Sequence, residues 1–208
     1  RGRSLQGPRS RYRLHWRALG VSPDESRSIV LIGPPGAGCS SVGSAIGATE
    51  GLPVLDLARS VADSLGTSPD LALVVIPEVE YRRAEADMAL RLLDRAAAEG
   101  AVVALGSGCL SDSRLCERLE GVRLRAGHSL RVVALICATR VLATRNGLDA
   151  PRSVGLGNVH HQFVQMLQAR QERCQELADL VVDTTATTPE EAGEEVVQAL
   201  AQVSPFHS

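Results

Sequence analysis

The sequence predicts an α/β fold, a five-stranded parallel sheet with helices on both faces. Three observations predict it. Short apolar runs alternate with helical stretches five times along the 208 residues. Three of the five runs end in glycine or aspartate, at the strand ends where parallel sheets bind ligands. A glycine-rich turn joins the first run to the first helix.

The elements follow in order. Ser28–Ile32 (SIVLI) reads as a buried parallel strand. After the glycine turn, a helix is expected from about Ser40 to Glu50. Pro53–Leu57 (PVLDL) is the second strand and Ala58–Leu65 a helix. Tyr81–Glu99 reads as a longer helix, with Leu90, Leu92 and Leu93 on its apolar side. Ala101–Leu105 (AVVAL) is the third strand and runs into Gly106-Ser107-Gly108. Ser113–Leu119 is a short helix, Arg131–Cys137 (RVVALIC) the fourth strand, and Arg140–Arg145 a further helix. Asp149–Asn158 reads as loop, Val159–Ala178 as helix, Leu180–Val182 as the fifth strand and Pro189–Gln202 as a closing helix.

Composition bounds the possibilities. The hydrophobic fraction of 44% supports a sizeable core, but aromatics are only 2%, so Ala, Val and Leu must fill it. A net charge of -2 gives no bulk attraction to nucleic acid or to a membrane surface. No apolar run approaches the roughly 18 residues of a bilayer span. All 22 basic residues are arginine. The five cysteines show neither a CxxC pair nor zinc spacing, which fits a reducing, cytoplasmic setting. Four read as small buried residues, and Cys39 is set apart by its place in the glycine turn. Residues 1–27 are expected to be a flexible, Arg-rich segment, residues 28–203 the folded domain, and residues 204–208 a tail. The pair His160-His161 cannot share one helix face and reads as surface. The acids at Glu190, Glu191, Glu194 and Glu195 read as solvated and favoured by a helix dipole.

The glycine turn carries the chemistry. Gly33-Pro34-Pro35-Gly36-Ala37-Gly38-Cys39-Ser40 matches the phosphate-cradling pattern G-x-x-x-x-G-K-[ST] everywhere except at lysine, which is Cys39. Its glycines let backbone N–H groups converge on phosphate, with a helix N-terminus behind them. Ser40 would be the hydroxyl ligand of Mg²⁺. The missing lysine is a chemical loss, because that cation spans the terminal phosphates and offsets charge as the phosphoryl group leaves. Only an arginine can replace it in this chain. Cys39, at a helix N-terminus, is a candidate for a lowered thiol pKa.

From Ser28 to about Leu200 the chain resembles shikimate kinase, a small P-loop kinase of the nucleoside-monophosphate-kinase-like type. The resemblance rests on several marks. Leu55-Asp56-Leu57-Ala58 matches the LDTD end of the family's second strand, and Glu78-Val79-Glu80-Tyr81-Arg82 matches an E-x-E-F-R helix start. Gly106-Ser107-Gly108 stands where the family has three glycines. Arg152-Ser153-Val154-Gly155-Leu156-Gly157-Asn158 matches the lid. The resemblance implies ATP-dependent phosphorylation of the 3-hydroxyl of shikimate, in aromatic amino-acid biosynthesis, by a monomer using Mg²⁺. It implies nucleotide contacts at Gly33, Gly36, Ala37, Gly38, Cys39, Ser40, Ser41 and Arg145, the last packing on adenine. It implies Mg²⁺ at Ser40 and Asp56. Asp56 and Arg152 take the catalytic roles, Asp56 at the substrate hydroxyl and Arg152 over the transferring phosphate. Arg82 and Arg170 would hold a substrate carboxylate beside Gly106, Ser107 and Gly108.

Ala58 replaces the family's second acid, which grips substrate hydroxyls, and Ser107 replaces its middle glycine. Three readings follow: a shikimate kinase slowed by these losses, a non-catalytic relative kept as a nucleotide- or ligand-binding module, and a kinase of another small anionic substrate.

Overall fold

The computed structural model describes residues 27–123, 129–147 and 157–203. The five strands are β1 (Arg27–Ile32), β2 (Val54–Asp56), β3 (Val102–Ala104), β4 (Ser129–Ile136) and β5 (Leu180–Asp183). They form one sheet in the order β2-β3-β1-β4-β5, with every pairing parallel. The helices are α1 (Cys39–Glu50), α2 (Leu57–Ser64), α3 (Pro69–Val75), α4 (Glu78–Glu99), α5 (Ser113–Arg123), α6 (Thr139–Arg145), α7 (Gly157–Leu177) and α8 (Pro189–Val203).

Alternation along β1 divides the core. Val30 and Ile32 join a cluster with Val61 of α2, Leu93 of α4 and Leu119 of α5. Ile29 and Leu31 join a second cluster with Ile46 of α1, Leu142 of α6 and Val196 of α8. Both faces of the sheet are therefore covered, as continuous apolar strands require. Two buried serine bonds fix the lower edge, with Ser28 Oγ donating to the Ala96 carbonyl at 2.7 Å and accepting from Ala101 N–H at 3.2 Å.

The expected elements all form, with boundaries shifted by one to four residues. Helix α4 begins at Glu78 rather than Tyr81, and α5 continues to Arg123. The expected loop ends early, because Gly157 and Asn158 already belong to α7. The remainder of that loop, the segments 1–26 and 204–208, and Arg152 lie outside the described residues. Two elements were not expected: α3, and a 3-10 turn at Gly108–Ser111. Helix α3 leaves Leu71, Leu73, Val74 and Val75 exposed, so it has no amphipathic stripe by which a sequence would announce it.

Candidate functional site

Register brings the site together. Ile32 of β1, Asp56 of β2 and Ala104 of β3 end side by side, since Leu31 and Asp56 both pair with Ala104. The loops leaving these strands border one cleft of about 670 Å³. Every expected site residue within the described part of the chain lines it.

The phosphate loop leaves β1 at Gly33. A side chain at Gly33 would meet the Leu135 carbonyl at 2.7 Å. Gly36 and Gly38 adopt φ of 86° and 99°, a region that L-residues other than glycine occupy at a cost. Gly38 caps α1 with no side-chain hydrogen bond, so the first N–H groups of a 12-residue helix remain for a ligand. Three consecutive loop carbonyls are held from outside. The Pro35 carbonyl accepts from Asn146 Nδ2 at 2.9 Å and that of Gly36 from Arg145 Nη1 at 3.0 Å. The Ala37 carbonyl accepts from Thr184 Oγ1 at 2.9 Å. The loop's oxygens are thereby engaged toward α6 and the end of β5, and its N–H groups are the polarity left for an anion. A phosphate chain fits this cradle.

Cys39 contributes no charge. Its Sγ sits 3.3 Å from where a Gly33 Cβ would stand, inside the turn. Burial is the main force on the thiol, with Cys174 and Asp56 adding to it, and pushes it up to about 12 against the opposing pull of the Gly106 N–H. This corrects the expectation of a lowered pKa. Desolvation of a thiolate inside the turn outweighs the helix N-terminus.

Asp56 has a local duty as well as its place at the cleft: its carboxylate accepts from Arg59 N–H at 3.0 Å and caps α2. Exposed Ser40 and Ser41 stand near it at the start of α1. A hydroxyl and a carboxylate in this position are hard oxygen donors of the kind that Mg²⁺ takes. Among the described residues no cluster of three or more His, Cys, Asp or Glu could itself hold a metal.

The cleft's other end is built on charge. Arg82 Nη1 donates to Glu85 at 2.9 Å, and Glu85 is only 7% exposed. The Arg82 guanidinium also lies over the Tyr81 ring, 5.6 Å from its centroid. Burial works against the Arg82 charge, but Glu85 outweighs it and holds its pKa up. For Arg170 the balance reverses: burial, and then repulsion from Arg82, push its pKa down despite Glu85. Two guanidinium groups face the cleft, and of the carboxylates that offset them Glu85 is buried while Glu78, 3.7 Å from Arg82 Nε, is exposed to solvent; forked guanidinium groups suit a small anion. Gly108 packs closely here: a Cβ on it would lie 2.6 Å from Glu85 Oε1 and 2.8 Å from Arg82 Nη1, so the ends of both side chains would have to move.

Several residues that line the cleft or hold its lining in place are not among those the sequence singles out. Glu85 stands one turn after Arg82, the spacing of a helical ion pair. Asn146 follows Arg145 directly. Thr184, Thr187, Thr188 and Pro189 line the cleft just beyond β5, where the rule of C-terminal strand ends would have pointed. The expected acids of the last helix include a capping box: Glu191 accepts from Thr188 N–H at 2.8 Å and donates its own N–H to Thr188 Oγ1 at 3.2 Å. Cys109, Cys116, Cys137 and Cys174 are buried and free, and His161 is exposed. No described helix is long and apolar enough to cross a membrane.

Comparison with known proteins gives a consistent result. A family model described as shikimate kinase matches residues 35–201. The shikimate kinase of Thermobifida fusca is 34% identical over 82% of this chain and 93% of its own length. That of Streptomyces avermitilis is 31% identical over 83% and 94%. Among solved structures, the shikimate kinase from Acinetobacter baumannii in complex with shikimate superposes with a TM-score of 0.69 at 20% identity. The match covers 86% of this chain and 95% of that one. A gluconokinase from Sinorhizobium meliloti shares the fold with a TM-score of 0.53 at 21% identity, over 86% and 93% of the two chains.

Proposed function

The chain belongs to the shikimate kinase family, and we propose that it keeps both ligand sites of that family while transferring the phosphoryl group much more slowly than a lysine-bearing relative. The observation that carries this reading is a well-formed phosphate loop whose position 39 holds a cysteine rather than a cationic side chain.

The loop N–H groups of Gly36, Gly38, Cys39 and Ser40 bind the phosphates of ATP. Ser40 and Asp56 would hold Mg²⁺, which when bound offsets phosphate charge. Arg82, oriented by Glu85, and Arg170 bind the carboxylate of a small acid such as shikimate. Asp56 orients the acceptor hydroxyl, whose oxygen bonds to the terminal phosphorus as the bond to ADP breaks, while its proton passes to the Asp56 carboxylate and on to solvent. Arg152 supplies the cation that Cys39 cannot. Loss of one preorganised stabiliser of this kind costs on the order of 10²–10³ in rate.

A second reading, a binding module without turnover, is favoured by Ala58, which removes a substrate-gripping acid in addition to the lysine. Shikimate-dependent ADP release with Mg-ATP, measured on the native chain and on Cys39→Lys, separates the two. The proposed function predicts slow turnover that rises roughly a hundredfold in Cys39→Lys. Silence in both, with shikimate and ADP still bound, would replace it by the binding module.

A further inference from the structure

The turn after β3 keeps glycine at two of its three positions, and the geometry explains which two. Gly106 has φ of 67°, a conformation reserved for glycine, and a side chain at Gly108 would displace the ends of Glu85 and Arg82. Ser107, between them, has φ of -118° and ψ of -8°, which any residue adopts. A side chain is therefore accommodated at this position with neither backbone strain nor displacement of Glu85 and Arg82, and the chain carries a hydroxyl there.

That hydroxyl has an unusual status. Ser107 is 8% exposed and lines the cleft, yet its Oγ is buried with no hydrogen-bond partner among the described residues and does not cap the 3-10 turn that follows it. Buried hydroxyls are normally paired, so an orphan bordering a binding cleft calls for a partner from outside the chain. Rotation about one bond, χ1, is all that its reorientation requires.

Its position indicates the partner. Asp56 pairs with Ala104 in the sheet, so the segments that leave β2 and β3 are neighbours. Ala58 lies on one and Ser107 on the other, and both line the cleft with Arg82 and Arg170. Ala58 has no polar atom to offer a ligand. We propose that Ser107 is a specificity-determining residue, whose hydroxyl binds a ring hydroxyl of a carboxylated polyol held by Arg82 and Arg170. This rests on the reading of the cleft as a site for an acid of the shikimate type. It assigns to the β3 turn a polar contact with substrate that the β2 segment cannot make.

The test is calorimetric binding of shikimate, of shikimate analogues each lacking one ring hydroxyl, and of ADP to the native chain, Ser107→Ala and Ser107→Gly. The expected result is shikimate binding about 3–10-fold weaker in both variants, the effect of one net hydrogen bond, with ADP binding unchanged. One deoxy analogue should bind the native chain and the variants equally, since its partner hydroxyl is already absent. Thermal midpoints of Ser107→Ala should hold or rise, because an unpaired buried hydroxyl has been removed. Shikimate binding that is unchanged in both variants, with a lowered midpoint in Ser107→Ala, would show the hydroxyl to be satisfied within the fold and would overturn this assignment alone. Failure of the native chain to bind shikimate, with ADP still bound, would overturn the reading of the cleft and this assignment together.

Discussion

The side-chain amide of Asn146 donates to the Pro35 carbonyl at 2.9 Å, which ties the end of α6 to the phosphate loop across 111 residues of sequence. The same nitrogen also lies 2.7 Å from the Leu142 carbonyl, so it is fixed to its own helix while it holds the loop. Beside it Arg145 spans the Gly36 and Thr184 carbonyls, at 3.0 Å each. Thr184, which is buried, reaches Ala37. The loop, which contains no lysine, is thus kept in shape by neutral and cationic donors behind it.

Removing those donors should loosen nucleotide binding before substrate binding. Asn146→Ala and Thr184→Val each leave a loop carbonyl short of a donor, at about 1 kcal/mol of stability. ADP affinity should fall about 5–10-fold by calorimetry, and shikimate affinity should stay within twofold. Thr184→Ser keeps the hydroxyl and should restore ADP binding. A loss in Thr184→Ser equal to that in Thr184→Val would mean that packing of the methyl group, not the bond to Ala37, sets the loop.

Arg82 and Arg170 should separate in a way their shared charge does not suggest. Arg82 is paired with buried Glu85, and removing it takes away that carboxylate's hydrogen-bonded partner and leaves only Arg170 near it, at about 1–3 kcal/mol. Arg170 is disfavoured by burial and by Arg82. Arg170→Ala should therefore unfold no earlier than the native chain, yet bind shikimate at least tenfold more weakly. Arg82→Ala should lose both stability and binding. Urea unfolding midpoints beside shikimate titrations decide between this division and a merely structural role for Arg170.

Gly108→Ala places a methyl group against the ends of two flexible side chains, Glu85 and Arg82. Those ends can move, so the stability cost should be modest, about 1 kcal/mol. The moved guanidinium no longer meets a carboxylate squarely, and shikimate affinity should fall tenfold or more with ADP affinity unchanged. Equal losses for both ligands in a binding titration would mean that the substitution disturbs the β3 turn as a whole.

The fold was legible because its signals are local. Apolar runs ending in glycine or aspartate mark parallel strands, and the spacing of the phosphate loop fixes where β1 gives way to α1. The cleft was legible on the side of the loop and the arginines, where the proposed phosphate and carboxylate would constrain residue type. It was not legible where the constraint is on shape. Asn146 and Thr184 are chosen for a reach to backbone carbonyls more than a hundred residues away, and nothing in their own segments states that distance. The direction of the Cys39 shift runs against the sequence expectation for a related reason. A helix N-terminus is visible in sequence, but burial of the thiol within the turn is not, and burial is the larger effect.

Cys39 gives the final prediction, in two measurements. With its thiol pushed up to about 12, thiolate at pH 8 is about one part in ten thousand, so iodoacetamide should modify Cys39 no faster than the other cysteines of the native state. The linkage runs toward instability in alkali. The unfolded thiol ionises near 9.0 while the folded one keeps its proton to about 12. Above pH 9 the unfolded chain therefore releases a proton that the native chain retains, and stability falls by up to about 1.4 kcal/mol per pH unit for this group. Cys174, pushed up to about 12 mainly by burial, acts in the same direction. The urea midpoint should decline steeply from pH 9 to 11, and Cys39→Ala should reduce that slope while leaving the midpoint at pH 7 to 8 without a pH dependence of its own. Rapid alkylation at pH 8, or a slope unchanged in Cys39→Ala, would place an accessible, ionisable thiol in the loop and restore the helix N-terminus as the dominant influence.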